Sequence, residues 1–138
     1  MKRFVLDASV TMSWCFEDRQ TDFSEAVLAA IENEAAPVAP PIWMYEVINV
    51  LSAAQKRKLM DQATATTFWN KVSKLVVVVE NSDRNTAHEI MELSEKYHLT
   101  AYDAAYLELA LREGLALATL DKELKKAANA AGVRLFAV

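Results

Sequence analysis

Two glycines and three prolines in 138 residues leave no room for a linker or a low-complexity tract. The one cysteine, Cys15, excludes an internal disulfide and suits a reducing cytoplasm. Two histidines, His88 and His98, lie far from Cys15 in the chain, so no zinc pattern is present. The histidines are expected at the surface or at helix caps, and Cys15 in the core. Long apolar runs are missing too. The start, MKRFVLDAS, has a basic beginning but too few apolar residues before Asp7 for a signal peptide or a membrane span. Basic residues are outnumbered, 15 against 19 acids, so the net charge of −4 gives no general attraction for nucleic acid. It leaves room for a local basic patch, or for an acidic centre offset by bound cations. No GxxxxGK[ST] occurs, which removes Walker-type nucleotide binding.

What is present is the balance of a folded protein, 53% hydrophobic and 25% charged. The length fits one domain over residues 1–138. Short apolar or β-branched runs alternate with longer helical patterns. Strands are expected at RFVL (3–6), APVA (36–39), LVVVV (75–79), LALA (115–118) and VRLFA (133–137). Helices are expected over 10–16, 22–34, 42–58, 61–74, 84–97, 101–113 and 121–131. Strands separated by helices imply an α/β fold, a Rossmann-like three-layer sandwich with a mostly parallel five-stranded sheet. The unalternating VVVV run is that of a strand buried on both faces. Pro40-Pro41 halts the second strand and opens the next helix. Gly114 and Gly132 each end a helix just before a strand. Ser82 or Asp83 can cap the helix that follows the third strand.

In a parallel α/β sheet, ligands bind beyond the carboxyl ends of the strands. Four acids fall there. Asp7 follows the first strand directly, and Asp121 comes three residues after LALA. Glu46 lies in the opening turns of the helix leaving the second strand. Asp103 lies early in the helix that leads into LALA. Each has a plain alternative. Asp7 and Asp121 could be N-caps. Thr100 and Asp103, in TAYD, have the form of a capping box. Glu46 is surrounded by Trp43, Met44, Tyr45, Val47, Ile48, Val50 and Leu51, so it needs a partner: a metal ion, or else a nearby Lys or Arg. Glu80 and Asp83 are rival acids in a polar stretch, ENSDRN. Four carboxylates in one pocket oppose each other's ionisation. Magnesium or manganese, which prefer oxygen ligands, would relieve that conflict.

At these residues the chain resembles the PIN-domain ribonucleases, and within them the VapC-like toxins of bacterial toxin–antitoxin pairs. The matching pieces are FVLDASV (4–10), PPIWMYEVINVL (40–51), LTAYDAAYLELA (99–110) and LATLDKEL (117–124), in the family's order. The resemblance implies a PIN domain whose metal site is built by Asp7, Glu46, Asp103 and Asp121. Ser9 and Thr119 match its supporting hydroxyl positions, and Asn49 matches the polar partner of the glutamate. It also implies hydrolysis of phosphodiester bonds in single-stranded RNA with Mg2+ or Mn2+, a homodimer and a silencing antitoxin partner. Leu120 departs from the pattern, standing where many relatives carry a polar residue.

Under that reading Asp7 and Asp103 are the most direct ligands, with Glu46 and Asp121 holding waters or a second ion. Lys122, Lys125 and Lys126 are expected nearest the rim as contacts for RNA phosphates, with Lys2, Arg3, Arg19 and the run KRK (56–58) further candidates. The helices over 42–58 and 61–74 carry more apolar surface than one sheet face covers, which a homodimer or a partner could use. The aromatic residues, Tyr106 among them, are expected in the core or at an interface. A haloacid-dehalogenase-like enzyme would need an aspartate where Ser9 stands. A receiver domain would need one at the end of the third strand. A non-catalytic RNA- or protein-binding module on the same fold, and a DNA-directed nuclease, remain as alternatives.

Overall fold

The computed structural model describes residues 2–80 and 83–137; Ser82, one of the two expected caps, lies outside them. The strand β1 (Arg3–Leu6) runs through the middle of the molecule, with Phe4, Val5 and Leu6 fully buried. Such a strand needs apolar side chains on both faces, which is what FVL supplies. It pairs in parallel with β2 (Ala36–Ala39) on one side and with β4 (Leu117–Ala118) on the other. β3 (Val77–Val78) pairs in parallel with β2, giving the order β3-β2-β1-β4.

Among the described residues the sheet therefore has four strands rather than five. The segment 133–137 reaches the outer edge of β4 but makes a single bridge, Leu117 to Leu135. Leu117 N–H donates to Arg134 O at 2.9 Å, and Phe136 N–H donates to Leu117 O at 2.9 Å. With β4 only two residues long, there is no second rung to extend. Ring packing does the holding instead: Phe136 lies 4.1 Å from Phe4, centroid to centroid. β3 is also shorter than the LVVVV run. It is an edge strand, so Val76 is buried while Val77 is 62% exposed, and the expectation of burial on both faces fails there.

Seven helices flank the sheet among the described residues: α1 (Ala8–Ser13), α2 (Asp22–Glu32), α3 (Ile42–Lys56), α4 (Gln62–Leu75), α5 (Arg84–Tyr97), α6 (Ala101–Glu113) and α7 (Lys122–Ala131). A 3-10 turn at Glu17–Arg19 joins α1 to α2. Pro41 sits in helical geometry just before α3, where its missing N–H costs nothing. Gly114 and Gly132 end α6 and α7 in the left-handed conformation, at φ 66° and 80°. Asp83 caps α5 by accepting from Thr86 N–H at 2.8 Å.

The core runs from Phe4 and Leu6 through Leu107, Leu109 and Leu117 to Leu124. Trp43 of α3 is buried against Trp69 of α4, 5.7 Å between centroids, and its indole N–H donates to Thr11 Oγ1 at 2.9 Å. Glu108, buried in α6, accepts two bonds from Arg112 at 2.8 and 3.2 Å, one turn further on, so its charge is met within the helix. Because all four strands are parallel, their carboxyl ends share one edge. Asp7, the start of α3 and Thr119 all emerge there.

Candidate functional site

Asp7 leaves β1 at the head of α1, where an N-cap would sit, yet its side chain makes no capping bond. Its carboxylate turns across the strand ends instead. Ser9 Oγ and Thr119 Oγ1 each donate to Asp7 Oδ2 at 2.6 Å. Both hydroxyls are themselves held by backbone: Leu120 N–H donates to Ser9 Oγ at 3.0 Å, and Asp121 N–H donates to Thr119 Oγ1 at 3.0 Å. A chain of N–H, hydroxyl and carboxylate thus stitches the end of β1 to the turn after β4. The departure at Leu120 leaves this intact, because that position contributes its backbone.

Glu46, half-buried in the second turn of α3, meets the phenol of Tyr106, which donates to Oε1 at 2.6 Å. Tyr106 is fully buried on α6, one turn after Asp103. Its hydroxyl joins α3 to α6, a role that the sequence reading did not assign. The DAAY spacing puts a phenol one turn beyond Asp103, but nothing in that spacing assigns its hydroxyl to Glu46 on another helix. Asn49 is exposed and no hydrogen bond joins it to Glu46 in the described structure. Asp103 sits in the first turn of α6, its N–H donating to Thr100 Oγ1 at 3.1 Å. Asp121 is the N-cap of α7, Oδ1 accepting from Leu124 N–H at 2.9 Å. For Asp121 the plain capping role and a place at the rim coexist.

The four acids feel one another. Burial raises the Asp7 carboxyl above its ordinary value, the Ser9 and Thr119 hydroxyls oppose this, and the Asp121 charge adds to it. Glu46 is raised by burial against the pull of Tyr106, with Asp7 and Asp103 adding repulsion. Asp103 is pushed up to about 6, by burial first and then by Asp121 and Asp7. The Tyr106 hydroxyl is raised well above its usual range by burial and the charges of Asp7 and Glu46, so it stays a donor. Among the described residues no cation pairs with any of the four; the ion pairs of Arg112 lie elsewhere, with Glu108 and Glu113. A Lys or Arg partner for Glu46 is thereby replaced by the tyrosine.

The donors are hard oxygens throughout, the chemistry magnesium or manganese takes. Among the described residues no three of His, Cys, Asp and Glu stand close enough to hold one ion together. The arrangement is an open rim rather than a closed cage, which fits an ion that keeps several waters and takes one or two carboxylates directly. His88 and His98 are exposed, and Cys15 is partly buried against the core. The rival acids lie apart from the rim's couplings: Glu80 is exposed, and hydrogen bonds from Thr86 hold Asp83 below the usual carboxylate range. Lys122 and Lys126 are exposed and Lys125 half-buried on α7, the helix that Asp121 caps.

Four comparisons bear on this geometry. Ribonuclease VapC3 of Pyrobaculum aerophilum is 29% identical over 124 residues, spanning 88% of this chain and 92% of that protein. The structure of VapBC2 from Rickettsia felis, bound to a DNA fragment from their promoter, superposes with a TM-score of 0.72 at 12% identity and covers 97% of each chain. A toxin–antitoxin complex from Klebsiella pneumoniae superposes with a TM-score of 0.58 at 19% identity, covering 86% of each chain. The family model of the PIN domain matches residues 4–130, nearly the whole described fold and all four acids, and the chain belongs to the PIN domain family.

Proposed function

We propose that this chain is a divalent-metal-dependent ribonuclease that hydrolyses phosphodiester bonds of single-stranded RNA, and that it is the toxin of a toxin–antitoxin pair. One observation carries the reading. Four carboxylates from four separate segments are coupled at the carboxyl edge of the sheet, three are pushed toward protonation, and no cation of the protein answers them. A divalent cation bound there would relieve that repulsion. The relative from Pyrobaculum aerophilum, a ribonuclease by name, supports the reaction class.

Asp7 and Asp103 would be the direct ligands of Mg2+ or Mn2+, with Glu46 and Asp121 holding waters or a second ion. Such an ion would lower the pKa of water and neutralise the phosphate and the departing oxygen. The chain's own residues supply position. Ser9 and Thr119 pin Oδ2 of Asp7, which fixes the direction of its remaining lone pairs. Tyr106 fixes Glu46 in the same way. Lys122, Lys125 and Lys126 lie along the helix leading away from the rim, where a strand's phosphates would pass.

Residues 1–138 act as one PIN domain, working in the cytoplasm as a homodimer. No helix of the described residues is long and apolar enough to cross a membrane. The complexes from Rickettsia felis and Klebsiella pneumoniae support an antitoxin partner here. The exposed Tyr45, Ile48 and Leu59 of α3 and its end, and Leu75 at the end of α4, are surface available to a partner or a second copy.

The test is incubation of the purified protein with total RNA in Mg2+, in EDTA, and with Asp7→Asn. Cleavage in Mg2+ alone, lost in Asp7→Asn with the fold retained, supports the reading. Equal cleavage by Asp7→Asn removes it.

A further inference from the structure

A second feature lies beside the rim and takes no part in it. The end of α5 and the stretch of α7 from Glu123 to Ala130 border a cavity of about 210 Å3, lined by Lys96, Tyr97, His98, Glu123, Lys126, Ala127 and Ala130. Each wall is close in sequence to one of the four acids. α7 begins at Asp121, two residues before Glu123. His98 caps α5 in the left-handed conformation, at φ 56°, and only Leu99 and Thr100 separate it from α6, which carries Asp103. A left-handed, non-glycine residue is unusual, and here it places an exposed imidazole at the mouth of the cavity. The Lys96 ammonium lies 5.4 Å over the Tyr97 ring, an aromatic face that holds the chain beside the cavity. Neither lysine forms a salt bridge among the described residues, so Glu123 leaves their charge largely unanswered.

We infer that this cavity is a second, metal-independent phosphate subsite, in which Lys96, His98 and Lys126 hold a backbone phosphate of the RNA strand next to the one being cleaved. The inference rests on the ribonuclease reading and adds to it. An all-acid rim repels a polyanion wherever a metal ion does not stand, so affinity for the strand must come from a separate group of donors. Two ammonium groups and an imidazole N–H, from the end of α5 and from α7, supply donors and charge to the strand. Lys96 and His98 come from α5, a helix that carries none of the four acids, so the subsite extends the track of α7 lysines sideways.

The experiment uses a fluorescent single-stranded RNA 12-mer, with binding followed by anisotropy in EDTA on the Asp7→Asn background, which separates binding from cleavage. Lys96→Ala with Lys126→Ala is expected to weaken binding about tenfold at low salt and to lower the slope of log affinity against log salt by about 0.7, the loss of one single-strand phosphate contact. The arginine pair, Lys96→Arg with Lys126→Arg, is expected to keep the unaltered slope, which separates lost charge from lost fold. Removing equal charge from α4, Lys71→Ala with Lys74→Ala, is expected to leave that slope in place. An unchanged slope in the alanine pair, or an equal loss in the α4 pair, overturns the subsite while metal-dependent cleavage by the native chain still upholds the nuclease. Failure of the native chain to bind or cleave RNA overturns both.

Discussion

Asp7 shows how one side chain is committed by its neighbours. Burial opposes its charge, and the hydroxyls of Ser9 and Thr119 restore part of that cost through two short bonds. Replacing Thr119 with Val keeps the shape, removes one bond to Asp7 and leaves the Asp121 N–H without its acceptor. The expected loss of stability is about 1–3 kcal/mol, read by chemical denaturation. Since the hydroxyl lowers the Asp7 pKa, its removal raises that pKa, and the acid limb of the pH–rate profile should move to higher pH. A profile that stays in place would show that Thr119 does not tune Asp7. Tyr106→Phe removes one bond to a half-buried glutamate and should cost about 1 kcal/mol while lowering, without abolishing, cleavage. The four acids were legible because chain order puts each near a strand end, and Ser9 and Thr119 only through the family resemblance. Tyr106 was not, because a tyrosine in an apolar helix has the same pattern whether its hydroxyl meets water or a carboxylate.

At the scale of the element, α6 carries most of the consequences. Its apolar residues Leu107, Leu109 and Ala110 lie in the core, its last turn meets Glu108 with Arg112, and its first turn presents Asp103. Thr100→Ala removes the cap that accepts the Asp103 N–H and should cost about 1 kcal/mol. Fraying of that turn also displaces Asp103, so activity should fall by more than stability predicts, in a comparison made well below the melting temperature. Helix ends were readable in the sequence where a special residue sets them: Gly114 and Gly132 at C-caps, Asp83 and Thr100 at N-caps, Pro41 ahead of α3. Strand extents were less so. VVVV has the composition of a central strand, and only the sheet order makes it an edge. VRLFA has the composition of a strand too, but the two-residue length of β4 leaves it one bridge.

For the whole molecule, the acidic cluster trades stability for function. A carboxyl whose folded pKa is raised binds more protons folded than unfolded between the two values. For Asp103 that window runs from 3.8 to about 6, and stability falls as pH rises through it. Asp7 and Glu46 shift in the same direction. The metal-free protein should therefore melt at a higher temperature at pH 5 than at pH 7, and Asp7→Asn should reduce that difference. Saturating Mg2+ at pH 7 should restore the lost stability, because an ion that binds only the folded state stabilises it by mass action. A melting temperature that rises from pH 5 to 7 in EDTA would contradict the coupling of the acids. The most direct measurement of the central claim is calorimetric titration of Mn2+ into the native protein and into Asp7→Asn at pH 7.5. Saturable binding by the native protein, lost in the folded variant, is the predicted result. Equal binding by both would contradict the account.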